Sequence, residues 1–253
     1  MAEWYETFFD RLAFDVWRDL VPAEMTQGEA AFLLRHLAPA GEGPRRLLDV
    51  PCGEGRLTQP VAAAGHEVVG IDLSDAAVAR LRDDAAAAGA TTVTGLVGDM
   101  RHLGSALAGQ PPFDGAYCMG NSFGYLNTRD TVTFLRDLAT TLRPGGRFVL
   151  DAATAAESVL PQIAEHDRYE EGDAVLDNVN SYDPLQSTMI THMTLESGGR
   201  REQRVVRHRV MTCREIVELL EDQGLVVDDV YGDVEDAPFE LGANRCLMVA
   251  TRR

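Results

Sequence analysis

The chain has 253 residues, 45% of them apolar and 25% charged, and a formal net charge of -17. That length can bury a substantial core in one large domain or in a domain with a lid, and a surface so acidic repels phosphate backbones and anionic lipid, which argues against nucleic acid and membrane partners. The first residues lack the basic start and apolar centre of a signal peptide, and no apolar run approaches the roughly 20 residues of a membrane span. Cysteines 52, 118, 213 and 246 show no CxxC spacing, so neither a zinc site nor a disulfide framework is expected. The expected compartment is the cytoplasm. All basic residues are arginine, which hints at a GC-rich bacterial genome.

Residues 4–38 read as helical, with a break near Val21-Pro22 and a broad face of Trp4, Phe8, Phe9, Leu12, Phe14 and Trp17. Thr26-x-x-Glu29 has the form of a capping box opening the second helix. Residues 39–44 form a loop. Strands and helices then alternate: strand 46–50, helix 56–64 closed by Gly65, strand 67–72, a helix from Ser74 to about 88, strand 92–97, strand 113–119, helix 128–142, a turn at 143–146 and strand 147–151. This alternation predicts a mostly parallel sheet with helices on both faces.

After Asp151 the pattern changes. Residues 174–183, 188–197 and 203–211 look like strands with no helices between them, and Met189, Thr191, Met193 and Leu195 alternate with their neighbours. An antiparallel insert of about 166–211, laid over the ligand edge, is expected. Arg200, Arg201, Arg204, Arg207 and Arg209 suit its solvated face. Thr212-x-x-Glu215 caps a helix through 223, and 224–234 and 245–251 are the last strands.

Asp49-Val50-Pro51-Cys52-Gly53-Glu54-Gly55-Arg56 is the most informative stretch. An apolar strand breaks into a glycine turn and then a helix, which lets the backbone approach a nucleotide where a Cβ would collide. A dinucleotide fingerprint needs a third glycine, and Thr58 stands there instead; no Walker-type Gly-Lys-Ser/Thr occurs. These absences favour a nucleoside ligand without a pyrophosphate over NAD or ATP. Asp72 ends the second strand, where a carboxylate can accept from a ribose diol, and Asp99-Met100 ends the third, where an acceptor and an apolar side chain could grip an adenine.

With those residues in place, the sequence resembles the class I S-adenosylmethionine-dependent methyltransferases. Asp49 to Gly55 is similar to their first motif, Gly70-Ile71-Asp72-Leu73-Ser74 to the ribose-binding strand end, Gly98-Asp99-Met100 to the adenine loop, and Leu142-Arg143-Pro144-Gly145-Gly146 to the turn before their fifth strand. The resemblance covers residues 45–152 strongly and the C-terminal elements more loosely. It implies an α/β, Rossmann-like, seven-stranded mostly parallel sheet ending in an antiparallel hairpin. Residues 1–40 would form an N-terminal helical lid, and 41–253 the cofactor-binding domain with its insert. Pro51 departs from the pattern, since many members carry glycine there and proline has no N–H to donate. Cys52 fits the motif's small apolar slot better than a nucleophile's role.

The resemblance implies S-adenosylmethionine bound by Asp49, Pro51, Cys52, Gly53, Gly55, Asp72, Leu73, Asp99, Met100, Met119, Gly120 and Asn121. The loop Met119 to Tyr125 would touch the methionine end and begin the acceptor site. Substrate contacts are expected from Tyr5, Phe9, Trp17, Asn121, Phe123, Tyr125 and Arg209, and the base, if one exists, from His208 or His102. The expected reaction moves a methyl to an N or O nucleophile of a small molecule, by a monomer or homodimer without a metal. The alternatives are an NAD-dependent oxidoreductase, or a protein of this fold that binds the same nucleoside without methyl transfer, for example a cyclase.

Overall fold

The computed structural model describes residues 3–39, 41 and 43–253. Residues 1, 2 and 40 of the expected lid, and residue 42 of the loop after it, lie outside the described residues. The chain begins with three helices, α1 (Tyr5–Phe8), α2 (Arg11–Leu20) and α3 (Ala23–Leu37). It then alternates through β1 (Arg46–Asp49), α4 (Thr58–Ala63), β2 (Glu67–Asp72), α5 (Asp75–Ala87), β3 (Val93–Val97), α6 (Leu103–Ala106), β4 (Phe113–Cys118), α7 (Thr128–Thr141) and β5 (Leu142–Asp151). After α8 (Ala156–Gln162) come four strands, β6 (His166–Glu171), β7 (Ala174–Asp183), β8 (Thr188–Ser197) and β9 (Arg200–Arg209), then α9 (Cys213–Glu221), β10 (Leu225–Tyr231) and β11 (Leu247–Arg252).

Seven strands form one sheet in the order β10-β11-β5-β4-β1-β2-β3. β1 to β5 run parallel, and β11 enters antiparallel between β5 and β10. The alternation of side chains along each strand divides the core in two. Leu47, Tyr117 and Val149 face α3 and α4, whereas Leu48, Ala116, Cys118, Phe148 and Leu150 face α7 and α9. Strand order reverses at β1, which lies between β2 and β4. The crevice outside its carboxyl end is where open α/β sheets place ligands.

The second sheet, β6-β7-β8-β9, is wholly antiparallel. Its inner face offers Met193, Leu195 and Val206 to Phe8, Leu12, Ala13 and Val16 of α1 and α2. The N-terminal helices and the insert therefore share one apolar cluster. Asp10 starts α2 by accepting from the Ala13 amide at 3.1 Å.

Four local readings change. Thr26-x-x-Glu29 is not a cap: α3 starts three residues earlier behind Pro22, whose φ of -61° is already helical. Thr26 instead accepts from Arg56 at 3.1 Å, and Glu29 is buried in ion pairs. The 143–146 turn lies inside β5 as an irregularity, because Leu142 pairs with Phe113 and Arg147 with Gly115. β6 and α8 add elements that periodicity does not reveal. β6 is a polar edge strand with no buried residue, so it carries no apolar alternation.

Candidate active site

The turn after β1 is built from short polar links. Asp49 is 3% exposed, and its carboxylate accepts the Thr58 hydroxyl at 2.6 Å. Burial raises its pKa to about 7 against the opposing pull of that bond. Gly53 donates its N–H to Asp72 Oδ2 and Ser74 donates to Oδ1, each at 2.8 Å. Asp72 thereby ties the β1 turn to the start of α5. Gly55 has a φ of +88°, and a Cβ there would lie 2.3 Å from Leu81 Cδ1. Cys52 is packed against Gly70, and burial, reinforced by Asp49 and Asp72, pushes its thiol well above the ordinary range. A thiol so disfavoured from ionising is a packing group.

At the end of β3, burial raises the Asp99 pKa, but Arg101 outweighs it and holds the carboxyl below the usual range. Asp99 Oδ1 accepts from the Arg101 amide at 2.8 Å, and Oδ2 faces the guanidinium at 2.5 Å. The same guanidinium reaches Glu6 of α1 at 2.7 Å and lies 5.4 Å from the Tyr5 ring centroid. Leu73 is 38% exposed beside this loop.

After β4 the chain turns through Gly120 (φ +75°) and Asn121 (φ +68°), and there is open space where a Gly120 Cβ would project. The Gly120 N–H points at Asp151 Oδ2 over 3.3 Å. Asp151 accepts from Arg245 at 2.7 Å, Arg245 reaches Glu29 at 2.8 Å, and Glu29 meets Arg56 at 2.6 Å. This buried chain of charges runs from the β1 turn to the β4 loop.

A cavity of about 360 Å³ opens from that loop toward the second sheet. Trp4, Phe8, Phe9, Trp17 and Tyr125 supply aromatic walls, and Asn121, Asn178, Asn180 and Asn244 supply amides. His208, 8% exposed, sits 5.7 Å from the Trp4 ring and 5.2 Å from the Tyr125 ring, centroid to centroid. Its Nδ1 has no partner among the described residues. Burial lowers its pKa to about 4, so the imidazole is neutral at physiological pH.

Residues 47–146, which contain the turn, the acid at 72 and the loop at 120, match a family described as "Methyltransferase domain". Over those residues the chain is similar to a methyltransferase domain. A candidate methyltransferase of Geobacillus sp. strain WCH70 is 31% identical over 74 residues, 29% of this chain and 26% of that one. The matched stretch thus spans about a quarter of that relative's length.

Among solved structures, the CcbJ methyltransferase of Streptomyces caelestis is 24% identical with a TM-score of 0.79, covering 94% of this chain and 96% of its own. A S-adenosylmethionine-dependent methyltransferase of Clostridium acetobutylicum is 16% identical with the same TM-score of 0.79, covering 95% and 97%. CalS10, an amino pentose methyltransferase of Micromonospora echinaspora, is 22% identical with a TM-score of 0.69, covering 97% and 98%. At these identities the likeness establishes the fold.

The expected site residues divide sharply between crevice, cavity and core. Gly53, Gly55, Asp72, Leu73, Asp99 and Met100 lie around the crevice, and Gly120, Asn121, Phe9, Trp17, Tyr125 and His208 border the cavity. Phe123 does not reach it: this residue is 1% exposed in the main core, because the 3-10 turn after Asn121 rotates it inward. Met119 is likewise core, at 5% exposure. His102 has a side chain 74% exposed, 3.8 Å from Asp99, and points away from the cavity into solvent. Arg209 and Tyr5 do not line the cavity; Tyr5 stacks on Tyr125 from outside, with centroids 6.0 Å apart. Sequence reasoning missed Trp4, Asp167, Asn178, Asn180 and Asn244. Only Trp4 carried a signal, as an aromatic at the start of the lid.

Among the described residues, no helix is long and apolar enough to cross a membrane.

Proposed function

We propose that this protein transfers a methyl group from S-adenosylmethionine to a nitrogen of a small molecule held in the aromatic cavity. The observation that carries the reading is the Gly120–Asn121 turn, which follows β4, the neighbour of β1 at the switch point of the sheet, and lines the cavity together with His208. The residues present suit the nucleoside. Each Asp72 oxygen accepts one backbone N–H and retains a lone pair for a ribose hydroxyl. Leu73 and Met100 offer apolar surface for a base, and the space beside Gly120 would be narrowed by any Cβ. Asp49 and Cys52 would act from beneath the turn rather than by touching the ligand, and Asp99 would meet an adenine while engaged by Arg101.

When bound, S-adenosylmethionine supplies an already activated methyl, so the protein's task is to place a nucleophile in line and exclude water. Trp4, Phe9 and Tyr125 would exclude water. Asn121 Oδ1, buried without a partner, would accept from the nucleophile's N–H. His208, neutral and with Nδ1 free, would orient the same group. An imidazole whose conjugate acid has a pKa of about 4 is too weak a base to ionise an alcohol, which favours an amine over a hydroxyl acceptor. Solved neighbours described as a sugar N-methyltransferase and a glycopeptide N-methyltransferase support that choice.

The test is release of S-adenosylhomocysteine from the purified protein across a panel of primary and secondary amines and their matched alcohols. Amine-dependent release is expected. Release with alcohols alone would overturn the nitrogen assignment, and release with none would overturn the transfer reading.

A further inference from the structure

The cavity extends well beyond the Gly120–Asn121 end, and its far wall has a different character. Across the second sheet, His208 lies on β9 and Asp167 on β6, three strands away, and the register sets Asp167 opposite Arg204, four residues along β9 from His208, so the two lie roughly 19 Å apart at the usual strand spacing and rise. Asp167 is the one acidic side chain among the described lining residues, and His208 is neutral. It makes no ion pair among the described residues, although carboxylates elsewhere on the molecule, such as Asp177, Glu202 and Asp236, are matched with arginine.

Asp167 is also held in place. Asn180 donates from Nδ2 to Asp167 Oδ2 at 2.7 Å and to the Ala164 carbonyl at 3.0 Å, while its Oδ1 accepts the Thr191 hydroxyl at 2.8 Å. Both Asn180 donors are therefore used, one to orient the carboxylate and the other to anchor the amide on the backbone. Beside it, Asn178 pairs in register with Asp167 and keeps a buried Oδ1 with no partner among the described residues. An oriented, unpaired carboxylate with a neighbouring free amide oxygen, at the end of a cavity walled by aromatic faces, is the complement of a cation with several N–H donors.

We propose that Asp167 and Asn178 form a second recognition subsite, positioned by Asn180, for an ammonium or guanidinium group on the acceptor, remote from the nitrogen that is methylated. The acceptor is thus an elongated molecule with two nitrogen centres. This rests on the proposed methyl-transfer reading only for the role of the near end; the far subsite is a binding property and is measured without turnover.

The experiment uses the whole protein saturated with S-adenosylhomocysteine and reads quenching of Trp4 and Trp17, which both line the cavity. The probes are 1,10-diaminodecane and 10-amino-1-decanol, which differ in one terminal group and span roughly 19 Å with a hydrogen bond at each end. The wild type should bind the diamine at least tenfold more tightly. Asp167→Asn should abolish that preference, Asp167→Glu should retain part of it, and S-adenosylhomocysteine affinity by calorimetry should stay unchanged in both. Equal affinity for the two probes, binding of neither, or a preference that survives Asp167→Asn in a folded protein would overturn the subsite. Loss of S-adenosylhomocysteine affinity in Asp167→Asn would move the residue to the cofactor side and overturn it as well. A retained diamine preference with no methyl transfer to any amine would leave the subsite standing and remove the transfer reading.

Discussion

Arg245 and Glu29 are 216 residues apart in sequence and 2.8 Å apart in the fold, joined in a buried ion pair. Glu29 is 3% exposed on α3, and Arg245 leads into β11. The second arm of the guanidinium takes Asp151, toward which the Gly120 N–H points, and the second oxygen of Glu29 takes Arg56 of the β1 turn. One network thus sets the positions of the two loops that bound the candidate active site.

Removing one partner from such a network leaves charges buried without compensation. Glu29→Ala should destabilise the protein by about 3–5 kcal/mol, read as a lower urea midpoint at unchanged slope. A loss below about 1 kcal/mol would mean that water or a neighbour replaces the carboxylate.

Asp72 has two duties, and its replacement should show both. Asp72→Ala should weaken S-adenosylhomocysteine binding by about 1–3 kcal/mol in calorimetry, through lost charge-assisted hydrogen bonds. It should also lower the melting temperature, because the Gly53 and Ser74 amides lose their acceptor. Unchanged affinity with a lowered melting temperature would leave Asp72 as a purely structural strut.

His208 couples stability to pH in a predictable direction. Its folded pKa of about 4 lies below the ordinary value of 6.5, so between these limits the unfolded chain binds more protons. Its contribution to stability is complete above pH 6.5 and is lost as pH falls toward 4, by roughly 3 kcal/mol in total. Urea unfolding at pH 7 and at pH 4.5 should show a smaller pH difference in His208→Gln than in the wild type. Equal differences would place the imidazole in contact with water.

Gly55 combines positive φ with close packing. Gly55→Ala should cost about 1–3 kcal/mol of stability. Adding Leu81→Ala removes the atom that lies 2.3 Å from the new Cβ, yet leaves the φ of +88° unrelieved. The double variant should therefore lose less stability than the sum of the two single changes, a favourable coupling in the thermal-melt cycle. Strict additivity would show that strain in φ alone sets the cost.

Much of the methyltransferase domain was legible because its signals are local. Leu47 and Leu48 mark a strand buried on both faces, Ser74 and Thr212 cap their helices as expected, and Asp72 ends β2 at the residue where the apolar run stops. Thr58 was noted only as a missing glycine; its hydroxyl proves to be the donor that satisfies Asp49. Thr26 and Glu29 have the spacing of a cap, but proline geometry upstream and two arginines from distant segments assigned them elsewhere. Phe123 and Tyr125 could not be told apart by pattern, since a short 3-10 turn decides which ring faces the core.

What the sequence determined by itself is the nucleotide-binding half, because its glycines, strand-end acids and helix caps act over a few residues and leave a fixed order along the chain. What only the tertiary structure decided is the aromatic cavity proposed to hold the acceptor. Trp4, Asn121, Asp167 and His208 come from four separate segments, and their joint presence around one cavity depends on how the insert sheet packs against α1 and α2. The neutrality of His208 follows from burial, and Asp167 has no ion pair among the described residues because of where the fold places it; no spacing of residues encodes either.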